Sequence, residues 1–296
     1  MGVYHEGSRA VQDRVGVRDL ADHVGRSVGE GIKPVAAAFL ELQPLLMLGA
    51  ADPATGRVWA SALAGTPGFV RTTGPRQISV TAATHPADPL APAALTTPGT
   101  PVGTLALDPR TRRRMRLDGR LRPTPRGFAV EAERVFANCP KYLQKREAYE
   151  VVDGRRPGAS RLGPELTADQ AEFIESADTF FLATVHENGA DVSHRGGNPG
   201  FVHVDSPTRL SWRDYPGNSM FLTLGNLVAD PRAGLLFLDW TTGTVLQLTG
   251  EAHTEFTTDG TRTVRFTVTE SVETPEALPL RWAEPEYSPA NPASAD

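Results

Sequence analysis

Ser61-Ala62-Leu63-Ala64-Gly65-Thr66-Pro67-Gly68-Phe69-Val70 and Ser193-His194-Arg195-Gly196-Gly197-Asn198-Pro199-Gly200-Phe201-Val202 are two copies of one segment. Ser, Gly, Pro, Gly, Phe and Val coincide at six of the ten positions, at a constant offset of 132. The shared residues are those a strand–turn–strand corner needs. The unshared ones turn Ala-Leu-Ala-Thr into His-Arg-Gly-Asn, a cluster able to hold an anion. Duplicated architecture with one polar copy implies two similar domains sharing one ligand site.

The repeat extends further along the chain. Gly103, Leu105, Leu107, Asp108, Thr111, Leu117 and Gly119 recur as Gly234, Leu236, Leu238, Asp239, Thr242, Leu248 and Gly250, now at an offset of 131. The two matches are collinear, and a period this long marks a duplicated domain; solenoid repeats are far shorter. A chain of 296 residues has room for two such domains.

Bulk composition narrows the function classes. With 40% hydrophobic and 22% charged residues, the chain supports a packed core. A net charge of −5 gives no general attraction to nucleic acid or anionic membrane. The basic run Arg110 to Arg116 reads as exposed strand or turn, without the aromatic partners of a nucleic-acid site. Cys139 is the single cysteine, which rules out an internal disulfide and a cysteine zinc cage. No stretch of about 18 apolar residues spans a membrane. Glu6 and Asp13 sit where a leader peptide would be apolar or basic, so the expectation is a soluble, cytoplasmic protein.

Along the chain, residues 1–43 read as an N-terminal helical segment, with Val17, Leu20, Ala21 and Val24 at helical spacing. Residues 44–153 form the first, degenerate barrel, with Leu45 to Leu48 as a strand and Asp52 to Gly56 as a turn. Thr81 to Pro101 is an irregular excursion, and Phe128 to Ala137 reads as a helix. Residues 154–164 are the linker. The second barrel, 165–282, opens on the capping box Thr167-Ala168-Asp169-Gln170. Phe180 to Val185, Glu187-Asn188-Gly189 and Ala190 to Arg195 then make a hairpin. Further strands are expected near 201–204, 209–212, 233–240, 244–255 and 262–270, with a short helix near 218–228. The Pro- and Ala-rich tail, 283–296, is expected to end in disorder.

Common catalytic signatures are missing: no dinucleotide-binding glycine fingerprint, phosphate-binding loop, zinc-protease helix or nucleophile elbow occurs. His186, Glu187, Asp191 and His194 are separated by the Asn188-Gly189 turn, so no metal site is expected. Ser193 to Asn198 fits two descriptions, a glycine-rich bend with an exposed Arg or an anion cradle. Arg offers a planar fork of donors, Ser and Asn add neutral ones, and glycines allow close approach of backbone N–H groups. The apolar copy at Ala62 to Ala64 shows that the bend forms without the polar set, which favours the cradle. Trp212 to Ser219 is either a plain turn with a helix cap or a second, anion-favouring part of the same pocket, Asn218 or Ser219 being the cap.

Several stretches together carry a resemblance. They are Phe180 to Thr184, Ser193 to Phe201, Asp214 to Asn218 with Thr223 to Leu227, and Asp230 to Phe237. Asn138-Cys139-Pro140-Lys141-Tyr142-Leu143-Gln144, His5-Glu6-Gly7, Leu278 to Trp282 and Glu286 to Pro289 extend it over nearly the whole chain. In these the protein resembles the pyridoxamine 5'-phosphate oxidase-related flavoproteins. The resemblance implies a mainly β fold with flanking helices: two tandem FMN-binding split β-barrels forming a pseudo-dimer in one chain.

It also implies FMN in the groove between the barrels. Ser193, His194, Arg195 and Asn218 then approach the phosphate, with Gly196, Gly197, Asp214, Tyr215 and Asn226 in the same matched stretches. Asn198, Phe201 and Val202 run beside the isoalloxazine. Asn138, Lys141 and Tyr142 reach across from the first barrel. Lys141, Arg195 or Arg281 supplies positive charge near the flavin, and Trp282 either stacks on the ring or plugs the barrel end. Asn218-Ser219-Met220 stands where relatives often carry a basic residue, leaving Arg195 and Lys141 as the countercharges. Cys139 has no neighbouring His base and reads as a packed thiol. The vitamin-binding residues of the oxidase have no match.

The expected activity is FMN-dependent oxidoreduction of an unidentified small molecule, by hydride or electron transfer through flavin N5. His194 and Tyr215 are acid–base candidates by position. The alternatives are a deazaflavin- or nicotinamide-linked reductase on the same fold, and a non-catalytic flavin- or haem-binding protein. The chain is expected to act as a monomeric pseudo-dimer or a homodimer.

Overall fold

The computed structural model describes residues 2–82, 85–91 and 93–292. Three helices come first: α1 (Glu6–Val15), α2 (Arg18–Gly25) and α3 (Pro34–Glu41). Pro34 occupies the first turn of α3, where a missing N–H costs no helical hydrogen bond. The first barrel contains β1 (Leu45–Ala51), β2 (Val58–Ala64), β3 (Val70–Gly74), β4 (Gln77–Val80), β5 (Pro101–Asp108), β6 (Arg113–Thr124) and β7 (Gly127–Ala137). Then come β8 (Tyr149–Val151), β9 (Arg161–Gly163) and α4 (Ala168–Ser176), which starts on a complete Thr167–Gln170 capping box.

The second barrel comprises β10 (Thr179–His186), β11 (Gly189–Gly196), β12 (Val202–Ser206), β13 (Arg209–Arg213), α5 (Leu222–Ala229), β14 (Arg232–Leu238), β15 (Val245–Phe256) and β16 (Arg262–Thr274). A last strand, β17 (Leu280–Trp282), pairs with β8. Strand order is β2-β1-β5-β6-β7-β4-β3 in the first sheet and β11-β10-β14-β15-β16-β13-β12 in the second. Counted from the first strand of each unit, the two paths are the same. The fold is two tandem antiparallel split barrels with flanking helices, paired within one chain.

Alternation along the central strands explains the pairing. In β1, Leu46, Leu48 and Ala50 enter the first barrel's core, whereas Leu45 and Met47 enter a core shared by both barrels. In β10, Phe180 and Leu182 point into the second barrel and Phe181, Ala183 and Val185 into the shared core. Both faces are therefore apolar, which gives continuous hydrophobic runs in place of an alternating pattern. Gly103 and Gly234, equivalent in the repeat, mark close approaches of the two barrels. A Cβ on Gly103 would lie 2.6 Å from the Asp191 and Val192 backbone, and one on Gly234 would lie 2.7 Å from Val58 O and Trp59 Cα.

The ten-residue repeat has the same geometry in both copies. Gly68 has φ +94° and Gly200 φ +85°, a left-handed backbone that glycine adopts without a steric penalty.

Three sequence expectations change. Phe128 to Ala137 is strand β7, paired with β4 and β6, and not a helix. Its Ala and Glu residues favour helix, but Phe128, Val130 and Ala132 alternate into the core, and burial overrides propensity. The helix near 218–228 begins later, at Leu222, with Phe221 as N-cap, so neither Asn218 nor Ser219 caps it. The linker is partly structured, since β9 pairs with β16. The chain end, 293–296, lies outside the described residues. No helix among the described residues is long and apolar enough to cross a membrane.

Candidate functional site

One cleft lies where the two barrels meet. From β11 come Ser193, His194, Arg195 and Gly196, followed by Phe201; from the segment after β13 come Asp214, Tyr215 and Asn218. The first barrel supplies Arg114 and Arg116 of β6, then Asn138, Cys139, Lys141 and Tyr142 beyond β7. Met220, Phe221 and Leu222 form an apolar wall.

The polar wall is cationic. Arg116 is buried and ion-paired with Asp191, whose other oxygen accepts from Thr223 Oγ1 at 2.9 Å. Arg195 is ion-paired with Asp214, which also receives Arg262 Nε at 2.9 Å. Arg114 has no carboxylate partner among the described residues. It reaches His194 Nδ1 at 2.6 Å and the Cys139 carbonyl at 2.7 Å. Burial lowers the Arg114 guanidinium to about 10, with repulsion from Arg195 next, and burial lowers Arg116 to about 9. Both stay charged at neutral pH. Burial, then Arg114 and Arg195, holds the His194 imidazole well below its ordinary range, so the ring is neutral.

Among the described residues, five buried polar atoms of the cleft lining have neither a hydrogen-bond nor an ion-pair partner: Arg116 Nε, Arg195 Nε, His194 Nε2, Asn138 Oδ1 and Trp212 Nε1. Four of these are donors, given the tautomer that Arg114 imposes on His194. Buried donors left unpaired are costly, and such a concentration marks a place built for an acceptor-rich ligand.

The backbone is strained in the same place. Tyr142 (φ 64°), Ser219 (φ 60°) and Phe221 (φ 53°) are non-glycine residues in the left-handed region, and all three line the cleft. Each costs about 1–3 kcal/mol, so surrounding contacts must hold it there. Tyr142 does so in part by donating from its hydroxyl to Pro216 O at 3.0 Å, its ring lying 5.2 Å from that of Tyr215. Burial raises both phenols, which makes them hydrogen-bond donors and not bases at neutral pH.

Residues 166–279 match the family model for pyridoxamine 5'-phosphate oxidase. The match spans the second barrel. Structures similar to the chain include the FAD binding protein from Mycobacterium smegmatis, with 16% identity over 39% of this chain and 98% of that one and a TM-score of 0.27. A FAD-binding protein from Mesorhizobium loti has 12% identity over 40% and 99%, with a TM-score of 0.29. HupZ of Group A Streptococcus has 11% identity over 35% and 89%, with a TM-score of 0.29. No curated protein matches the chain.

Not every residue singled out in the sequence reaches the cleft. Gly197 donates its N–H to Asp178 O at 3.1 Å, so that group is not free for an anion. Asn198 bonds to Asn291 and Pro292, and Val202 is buried in the barrel core. Asn226 is buried against Thr184 and His5. Arg281 pairs with Glu150 on the surface, and Trp282 packs between Tyr149 and Trp240 as a plug of the shared core. Cys139 is exposed, contrary to the packed thiol expected.

Arg114 and Arg116 were hidden in a run that reads as exposed. Their signal was alternation: they occupy one face of β6 while Met115 and Leu117 enter the core from the other. Among the described residues no group of three or more His, Cys, Asp or Glu could hold a metal ion.

The equivalent place on the first barrel is filled by the protein itself. Ser61 matches Ser193, and Gln247 matches Arg116 through the Leu117/Leu248 register. There the Asp88 carboxylate accepts from Ser61 Oγ at 2.8 Å, Leu90 N at 2.9 Å and Gln247 Nε2 at 3.4 Å. Leu90 and Ala94 bury themselves in the core beside it.

Proposed function

We propose that the cleft binds FMN and that the protein is an FMN-dependent oxidoreductase acting on a small molecule. The observation that carries this reading is the set of unpartnered buried donors from both barrels around one cationic cleft. A phosphate and a pyrimidinedione edge both offer the acceptors such donors lack. Arg114, Arg195 and Lys141 supply the countercharge, Ser193 and His194 Nε2–H the neutral contacts, and Phe221, Met220 and Leu222 the apolar face. When bound, the flavin supplies hydride or electron-pair chemistry at N5. The chain's own share is to orient, to exclude water and to hold positive charge near the cofactor.

Haem is a poorer fit. With Nδ1 occupied by Arg114, His194 carries its proton on Nε2 and offers iron no lone pair. A non-catalytic flavin carrier is the second reading, favoured by the absence of an assigned base: His194 is held neutral and both tyrosines are raised.

The test is the visible absorption spectrum of purified protein before and after FMN addition and desalting. Retained flavin bands that disappear in Arg195→Ala support the site. A protein that stays colourless with added FMN overturns it. Bleaching by NAD(P)H or a reduced deazaflavin then separates the enzyme from the carrier.

A further inference from the structure

We infer that Gln144 is a positioning residue for the cleft and that the C-terminal segment 286–292 is the strap that holds it in place. The flavin-binding part of this inference rests on the function proposed above; the structural part does not.

Gln144 is 2% exposed and sits where three parts of the chain converge. Its Nε2 amide lies 3.0 Å from Gly197 O, 3.2 Å from Tyr142 O and 3.4 Å from Asp178 O. These carbonyls belong to the first barrel's arm and to both ends of the cradle-bearing hairpin. Its Oε1 accepts from Ser288 N at 2.7 Å and Asn291 Nδ2 at 3.2 Å, both in the tail. The tail goes further: Asn291 Nδ2 donates to Asn198 Oδ1 at 2.9 Å, and Asn198 Nδ2 donates to Pro292 O at 3.2 Å. At its near end, Lys145 and Glu286 exchange backbone hydrogen bonds of 2.9 and 2.7 Å.

The arrangement explains how Tyr142 keeps its strained backbone. Its carbonyl abuts Gly196, where an added Cβ would come within 2.1 Å, so the arm and the cradle are in direct contact. A left-handed non-glycine residue relaxes unless its surroundings over-determine it. Gln144 bonds to the Tyr142 carbonyl on one side while the tail fixes Gln144 on the other. The strap thus sets where Lys141 and Tyr142 stand relative to His194 and Arg195. It makes one cleft out of two barrels without touching a ligand itself.

Two full-length variants test this. Gln144→Glu keeps the acceptor for the tail but cannot donate to the three carbonyls. Asn291→Ala removes that residue's side-chain bonds to Gln144 and Asn198 and leaves Gln144 itself unchanged. Amide hydrogen exchange of the ligand-free protein is read by peptide, and FMN affinity by flavin fluorescence. Both variants are expected to lose protection over residues 138–146 and 196–201 while β14 to β16 stay protected. FMN affinity is expected to fall by about tenfold or more, the scale on which displaced positioning groups act. Unchanged exchange in both segments for both variants overturns the strap, whatever FMN does. If the parent protein binds no FMN, the function proposed above fails, and exchange alone still decides the strap. Loss of protection throughout the second barrel would make Gln144 a folding residue and also overturn the inference.

Discussion

Arg114 and His194 belong to different barrels, and Arg114 Nη1 lies 2.6 Å from His194 Nδ1. A guanidinium only donates, so Nδ1 accepts and the proton of the neutral ring sits on Nε2, which is buried and has no partner among the described residues. Nitrogen-15 NMR of the imidazole is therefore expected to show the Nε2–H tautomer at pH 7. Arg114→Gln removes one of the two neighbouring cations, and the His194 titration should move upward. An Nδ1–H tautomer in the parent protein would contradict the cross-barrel hydrogen bond.

Two histidines make stability depend on pH. Burial first, with Arg114 and Arg195 next, depresses His194. Burial, His5, Arg134 and Arg120 lower His186 to about 4, its ring stacking 4.6 Å from that of His5. A histidine lowered in the fold takes up its proton in the unfolded chain first. Stability is thus fully present above about 6.5 and falls as pH drops toward the folded value. Each group contributes at most about 1.4 kcal/mol per pH unit in that window. Chemical denaturation at pH 7.5 and 5.0 should show a smaller pH-dependent loss in His194→Asn and His186→Asn than in the parent. Carboxyl titrations cancel in that comparison. Equal losses in all three proteins would mean that neither ring is held neutral.

Removing Arg195 is expected to disturb the fold little. Asp214 keeps its bond from Arg262 when Arg195 is gone. Arg195→Ala should weaken FMN binding by about tenfold to a hundredfold, the range for a lost charge-assisted hydrogen bond, with a small change in melting temperature. Arg262→Ala should do the reverse, destabilising the fold through a buried partner while leaving Arg195 in place. Calorimetric melting beside flavin titration distinguishes the two patterns.

Asp88 sets the expected stoichiometry at one ligand per chain. Its carboxylate, together with Leu90, fills the place that corresponds to the cationic cleft, and Ala62 and Leu63 stand there instead of His194 and Arg195. Isothermal titration should give one FMN site. Two sites of equal affinity would refute the view that the first barrel has lost its own.

Much of this was readable in the residues because duplication preserves what the backbone needs. Gly68 and Gly200 keep their φ, and Gly103 and Gly234 keep their close contacts. The strand runs from Phe180 and from Leu45 were legible for a related reason, burial on both faces. The misread helix at Phe128 shows the limit: Ala and Glu carry helix propensity, and only a neighbouring strand decides otherwise. The cleft was half legible. His194 and Arg195 stand out against their apolar copy, but Arg114 and Arg116 come from the other barrel: alternation along β6 puts them on one face, and only the packing of the two barrels decides that this face lines the cleft. Gln144 lay inside a matched stretch with no sign that the tail would fold back onto it.

The shared glycines give the sharpest test of barrel pairing. A side chain at Gly103 meets the Asp191 and Val192 backbone at 2.6 Å, and backbone cannot swing aside as a flexible side chain does. Gly103→Ala is therefore expected to push β5 away from β11, costing about 1–3 kcal/mol, as overpacking does. Asp191 holds Arg116 at the cleft floor, so the displacement should also weaken ligand binding. Gly234→Ala imposes the same clash on β2 at the pseudo-equivalent contact, where Gln247 and Asp88 stand in place of a cationic cleft. It should cost similar stability with a smaller effect on binding. Urea denaturation and FMN titration of both variants, measured side by side, check the asymmetry. Equal loss of binding in the two would show that the barrels move as one body and that the cleft does not sense which contact is broken.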